Sequence, residues 1–194
     1  MKVAVIAWGS LIREPEALQI AADFAAVGPQ LPIEFCRIST TGARKDCLTL
    51  VIDQDDGTLC RSYAAPSGFD TLEAAIENLV ARERTATRHI GFVDLASGKR
   101  SEAAMERHPA TVETIAAWAE AGGYDAAIWT ALASNFAEVV EPFSTTAALA
   151  YLERLEAREA AKFEAALEYI RKAPPEVDTP VREEVAKRWP AARG

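Results

Sequence analysis

The stretch VAVIAWGSLIREPEAL (Val3–Leu18) begins as a strand and stops abruptly. Val3–Trp8 is a continuous apolar run, Gly9-Ser10 breaks it, and Glu14-Pro15-Glu16 has the makeup of a helix start. Two readings fit a bulky Trp followed by Gly-Ser at the first turn out of a core. One is a plain strand-to-helix connection. The other is a loop whose successive backbone N–H groups form a small anion-binding nest, with Gly9 permitting close backbone approach and Ser10 adding a hydroxyl. The stretch alone leaves both open.

Outward from it, the first half reads as strands. LPIEFCRIST (31–40) alternates Ile33, Phe35 and Arg37 against Glu34, Cys36 and Ile38. CLTLVID (47–53) and TLCRSYAA (58–65) follow, and the Asp55-Asp56-Gly57 between them is a hairpin signal. A helix is predicted from Asp70 to Glu83 or Arg84, with Asp70 and Glu73 at capping-box spacing. HIGFVDL (89–95) is another strand, turned by Ser97-Gly98. Pro109 opens a helix with Val112, Ile115, Ala116 and Ala119 on one face, ended by Gly122-Gly123. YDAAIWTAL (124–132) reads as a last strand, and Thr146–Lys172 as one long Ala/Glu-rich helix with a Glu168–Lys172 pair. Pro174-Pro175 stops it, and the tail leaves room for one short helix.

This pattern predicts a single α+β domain over residues 1–194. A strand-rich core over 1–98 carries the site, a helical part over 99–173 adds one further strand, and 174–194 is a C-terminal tail. The helices cover a small mixed sheet or barrel.

Of the 194 residues, 49% are hydrophobic, enough for one real core. The net charge of -8, with Lys and Arg interspersed among Asp and Glu, argues against nucleic acid or an anionic membrane as partner. The apolar run after Lys2 is too short for a signal segment, and no stretch approaches a membrane span, so a cytoplasmic protein is expected. Cys36, Cys47 and Cys60 are odd in number, lack CxxC spacing and lie in strand-like segments, which reads as buried, reduced thiols.

Common catalytic patterns are absent: no GxSxG, HExxH or GxxxxGK[ST] occurs. The only histidines are His89 and His108, and nothing in the sequence links either to Ser10 in a triad. No residues have metal-ligand spacing, so no metal is expected. The helix over 70–83 says more. Leu72, Ile76 and Leu79 form a stripe with Val80 beside it, and four residues on comes Glu83. A half-buried carboxylate loses hydration and becomes a stronger base, which suits general base work near neutral pH. The alternative is that the helix frays and Glu83 pairs with Arg82, Arg84 or Arg88 at the surface.

The two features together carry a resemblance. AWGSLI after the first strand resembles the Tyr-Gly-Ser-Asn-Leu loop of the γ-glutamylcyclotransferase family. LVARERTATRHIGFVDL (79–95) is similar to the family segment in which a helix leads to a catalytic Glu just before a strand, with Glu83 at the Glu position. The resemblance covers about residues 3–95. Trp8 stands where the family has Tyr, removing a phenolic hydroxyl, and Leu11 stands where it has Asn. The second half is longer than a minimal member, so the chain looks like a bacterial branch with a variant Trp-Gly-Ser-Leu loop.

The resemblance implies a γ-glutamylcyclotransferase-like fold with flanking helices and a helical C-terminal extension. It implies a reaction: the α-amine of a γ-glutamyl amide attacks its own γ-carbonyl, releasing 5-oxoproline and an amine. Glu83 is then the catalytic base, and Trp8, Gly9, Ser10 and Leu11 bind the substrate. Arg37 is a candidate for carboxylate recognition, with a surface charge as its alternative reading. Thr130 and Asn135, around the last strand, are further candidates for the pocket lining. No metal or organic cofactor is required. The expected partner is a small γ-glutamyl molecule. The competing readings are an acyltransferase on the same scaffold, a non-catalytic small-molecule binding protein, and an interaction protein whose long helix mediates a homodimer.

Overall fold

The computed structural model describes residues 1–42 and 44–191. Its strands are β1 (Val3–Ala7), β2 (Gln30–Ile38), β3 (Leu48–Ile52), β4 (Thr58–Arg61), β5 (Tyr63–Pro66), β6 (Ile90–Asp94) and β7 (Ala126–Thr130). Its helices are α1 (Leu72–Glu83), α2 (Glu102–Arg107), α3 (Pro109–Ala121), α4 (Phe136–Val139), α5 (Thr145–Arg158), α6 (Ala160–Arg171) and α7 (Pro180–Arg188). The class is α+β, with two separate sheets rather than a closed barrel. Among the described residues no helix is long and apolar enough to cross a membrane. The chain divides into two compact units, one of Met1–Leu31 with Arg61–Leu132, the other of Pro32–Cys60 with the chain from Ala133 on.

The first unit is built on a sheet of order β5-β1-β7-β6. β1 runs antiparallel to β5 and parallel to β7, and β6 closes the edge antiparallel to β7. A central strand covered on both faces must be apolar throughout, and all five residues of β1 are buried. Val3, Val5 and Ala7 share a core with Leu11, Leu79, Ile90 and Ile128. α1 packs on β7 and β6, and so does α3. α3 starts at Pro109 and buries Val112, Ile115, Ala116 and Ala119, the face its periodicity marks.

Three local expectations fail in instructive ways. No helix forms at Glu14-Pro15-Glu16: a short 3-10 turn, Ser10–Ile12, is followed by irregular chain. The cap of α1 is Thr71, one residue after Asp70; its hydroxyl accepts the Ala74 N–H at 3.3 Å, so Glu73 cannot complete a capping box. The run 58–65 is two strands in different sheets, parted at the fully buried Ser62, whose hydroxyl donates to the Pro29 carbonyl at 2.7 Å.

In the second unit the sheet order is β3-β2-β4. The Asp55-Asp56-Gly57 turn therefore does not make a hairpin: β3 and β4 both pair with β2. Gly57 answers a different need, since a Cβ there would lie 2.5 Å from the Pro32 backbone. The expected helix over 146–172 is two helices, α5 and α6, broken at Glu159, whose backbone is non-helical (φ -150°, ψ 81°). Position 159 lies one turn beyond Leu155 on the apolar stripe, yet carries a carboxylate, which pairs with Lys162 at 3.0 Å. The Glu168–Lys172 pair forms, and α7, capped by Thr179, is the short helix of the tail.

All three cysteines are buried and unbonded to one another. Burial raises each thiol above its ordinary range, and Asp53, 3.5 Å from Cys36 Sγ, raises that one further. Arg44 and Lys162 beside Cys47, and Arg182 beside Cys60, favour the thiolate, but burial outweighs them.

β2 carries a bulge between Glu34 and Arg37 that breaks its alternation, so Glu34, Phe35 and Cys36 are all buried. Glu34 anchors α7: its carboxylate accepts the Phe35 N–H at 2.7 Å, the Val181 N–H at 3.5 Å and the Thr179 hydroxyl. Desolvation outweighs these bonds and raises its pKa above the ordinary 4.5. Between 4.5 and that raised value the folded chain binds more protons than the unfolded one, so this group's contribution to stability falls as pH rises. Glu34→Gln is expected to flatten that part of the profile. Urea unfolding of both proteins across the interval checks it, and equal slopes would contradict it.

Candidate active site

Trp8, Gly9, Ser10, Leu11 and Glu83 all belong to the first unit. The turn after β1 is shaped by its side chains. Trp8 and Leu11 are buried, Leu11 in the same core cluster as Leu79, while Gly9 and Ser10 between them are partly exposed. The turn closes with the Ile12 N–H on the Gly9 carbonyl (3.2 Å) and the Arg13 and Glu14 N–H groups on the Ser10 carbonyl (3.1 and 2.8 Å). The leading N–H groups of any such turn have no internal acceptor. Here those are the N–H groups of Gly9, Ser10 and Leu11, which among the described residues donate no backbone hydrogen bond. Leu11 contributes an apolar anchor and no side-chain donor.

Glu83 is the last residue of α1, one turn beyond Leu79. The helix ends sharply because Arg84 adopts a left-handed conformation (φ 50°), with its N–H on the Ala81 carbonyl and the Thr85 N–H on the Val80 carbonyl. The Glu83 side chain is 21% exposed. The buried stripe of the helix is Leu72, Ala75, Leu79 and Arg82, so Arg82 takes its last buried slot and Glu83 its margin.

Arg82 was expected only as a surface partner. It is buried instead, and it bridges: Nη1 donates to Glu83 Oε1 at 3.0 Å and Nη2 to the Glu14 carbonyl. Because the Glu14 N–H is itself bonded to Ser10, three hydrogen bonds connect the turn after β1 to the Glu83 carboxylate. Asn78 ties down the chain beyond the turn, its amide accepting from the Gln19 N–H (2.8 Å) and donating to the Ala17 carbonyl (3.0 Å).

Other candidates have other partners. Arg37 lies in the second unit, where Nη1 donates to the Ala133 carbonyl at 2.6 Å. Asn135 clamps the Ile38 peptide by both its N–H (2.8 Å) and its carbonyl (3.0 Å). Thr130 ends β7 opposite Ile90. His89 sits with Nδ1 2.7 Å from the Thr85 hydroxyl, and His108 is buried.

The arrangement pairs a carboxylate on a helix end with a turn whose leading N–H groups are not used in the turn's own hydrogen bonds. That pairing can take up a proton at one place and hold a developing oxyanion at another. No protein family, curated protein or solved structure matches the chain.

Proposed function

We propose that this chain is a γ-glutamylcyclotransferase-like enzyme that cleaves a γ-glutamyl amide to 5-oxoproline and an amine. The observation that carries the reading is the hydrogen-bonded connection, through Arg82, between the Glu83 carboxylate and the Gly-Ser turn after β1.

Glu83 takes a proton from the α-ammonium group, freeing the nitrogen lone pair. The α-nitrogen attacks the γ-carbonyl carbon, forming the ring C–N bond and a tetrahedral oxyanion. The N–H groups of Gly9, Ser10 and Leu11 stabilise that oxyanion or the α-carboxylate. Collapse breaks the bond to the leaving nitrogen, to which Glu83 returns the proton, and the ring nitrogen gives up its remaining extra proton to solvent to leave the neutral lactam. Because the nucleophile and the carbonyl belong to one molecule, holding the substrate in its folded-back conformation supplies much of the acceleration. The reading requires neither a metal nor an organic cofactor, and sets the enzyme in a bacterial cytoplasm.

The test is a panel of γ-glutamyl amino acids, γ-glutamylamines and glutathione, incubated with the purified chain and assayed for 5-oxoproline. Equal amounts of 5-oxoproline and free amine are expected from at least one class. Tight binding of a γ-glutamyl compound without product would favour the non-catalytic binding protein, a reading supported by the missing polar side chain at Leu11. Neither binding nor product would remove both.

A further inference from the structure

This inference rests on the reading of Glu83 as base. Glu83 stands at the carbonyl end of a helix, where the backbone dipoles disfavour an anion. The neighbouring slot, which would extend the apolar stripe of Leu72, Ala75 and Leu79, holds a cation only 8% exposed. Burying a guanidinium is costly unless its partners are well placed, and among the described residues Arg82 Nε meets none. An apolar side chain would fill that slot at lower cost. What Arg82 adds is a planar fork with donors in fixed directions, which a lysine cannot reproduce.

We propose that Arg82 is the positioning residue of this site. One edge of its guanidinium fixes the Glu83 carboxylate and the other fixes the Glu14 carbonyl, so that base and donor turn are held as one body. The other titratable or charged groups nearby are Arg84, paired with Glu16 at the surface (3.9 Å), the Glu14 side chain, and Arg88 and His89 of the 3-10 turn Thr87–His89 that packs on α1.

The experiment compares wild type, Arg82→Met and Arg82→Lys in two ways, with thermal melts to verify folding. First, carboxyl-selective NMR follows the titration of Glu83. Loss of the guanidinium in Arg82→Met is expected to raise its midpoint by about one pH unit, and amide exchange at Ile12, Arg13 and Glu14 is expected to accelerate in both variants. Second, with a γ-glutamyl amide that wild type turns over, Arg82→Lys is expected to lower kcat by about 100-fold with KM little changed. An unchanged Glu83 midpoint in a folded Arg82→Met overturns the proposal. If that variant does not fold, Arg82→Lys decides: unaltered amide exchange across the turn overturns it. A wild type without turnover removes the proposed function and leaves the titration to decide the role of Arg82.

Discussion

Glu83→Gln is expected to lower 5-oxoproline release by about 100- to 10,000-fold, the range a positioned general base supplies. The substitution is close to isosteric. Its amide oxygen still accepts the Arg82 Nη1 donor that now meets Glu83 Oε1, so α1 keeps its end and the turn after β1 keeps its tie to Arg82. What disappears is the carboxylate that the proposed mechanism uses to take a proton from the α-ammonium group and hand it to the leaving nitrogen. On the proposed reading substrate is held by the N–H groups of Gly9, Ser10 and Leu11 rather than by Glu83, so KM should change little. Steady-state kinetics with 5-oxoproline quantified directly, beside a melting curve, measures both. A folded Glu83→Gln that keeps wild-type turnover would remove Glu83 from the chemistry and the cyclotransferase reading with it.

The largest stability loss is expected at Gly91. It pairs across the sheet with Trp129, which is fully buried. A Cβ at Gly91 would lie 2.2 Å from Trp129 Cε2 and 2.5 Å from its Nε1. The indole is rigid and enclosed, so it cannot yield as the end of a flexible chain would. Overpacking of this kind costs about 1–3 kcal/mol, and Gly91→Ala should unfold at correspondingly lower urea concentration. Trimming the obstacle should recover part of the loss: in the double variant Gly91→Ala, Trp129→Leu the two effects should fail to add, with a coupling of about 0.5–3 kcal/mol. Additive losses would show that the strain lies elsewhere.

Much of this was readable from residue order where the signal is local. α3 is bracketed by Pro109 and Gly122-Gly123, and its apolar period meets no conflict, so its face follows directly. β6 and β7 are short β-rich runs, flanked in sequence by turn residues. Strand partners are another matter. Asp55-Asp56-Gly57 announces a change of direction, but which strand receives β3 and β4 depends on β2, more than a dozen residues away. In the site the uncertainty is one of rotation. From Leu79, a step of three lands on Arg82 and a step of four on Glu83, and both lie on the inward side of a helix. A run of Arg-Glu-Arg reads as surface charge. Only the packing of the chain beyond β1 against α1 turns Arg82 inward and makes it the bridge.

The parallel pairing of β1 with β7 joins Val3 to Ala126, and neither compact unit is a continuous piece of chain. The order of synthesis therefore runs against the order of assembly. When the turn at Gly9-Ser10 leaves the ribosome, the strand beneath it lacks a neighbour that will not be made for more than a hundred residues. Contacts of such sequence separation form slowly because a long loop must close first. The segment 32–60, translated in between, waits in turn for the helices made after Ala133. A nascent chain ending before β7 would carry both Glu83 and the Gly-Ser turn, yet have no completed sheet on which to hold them together.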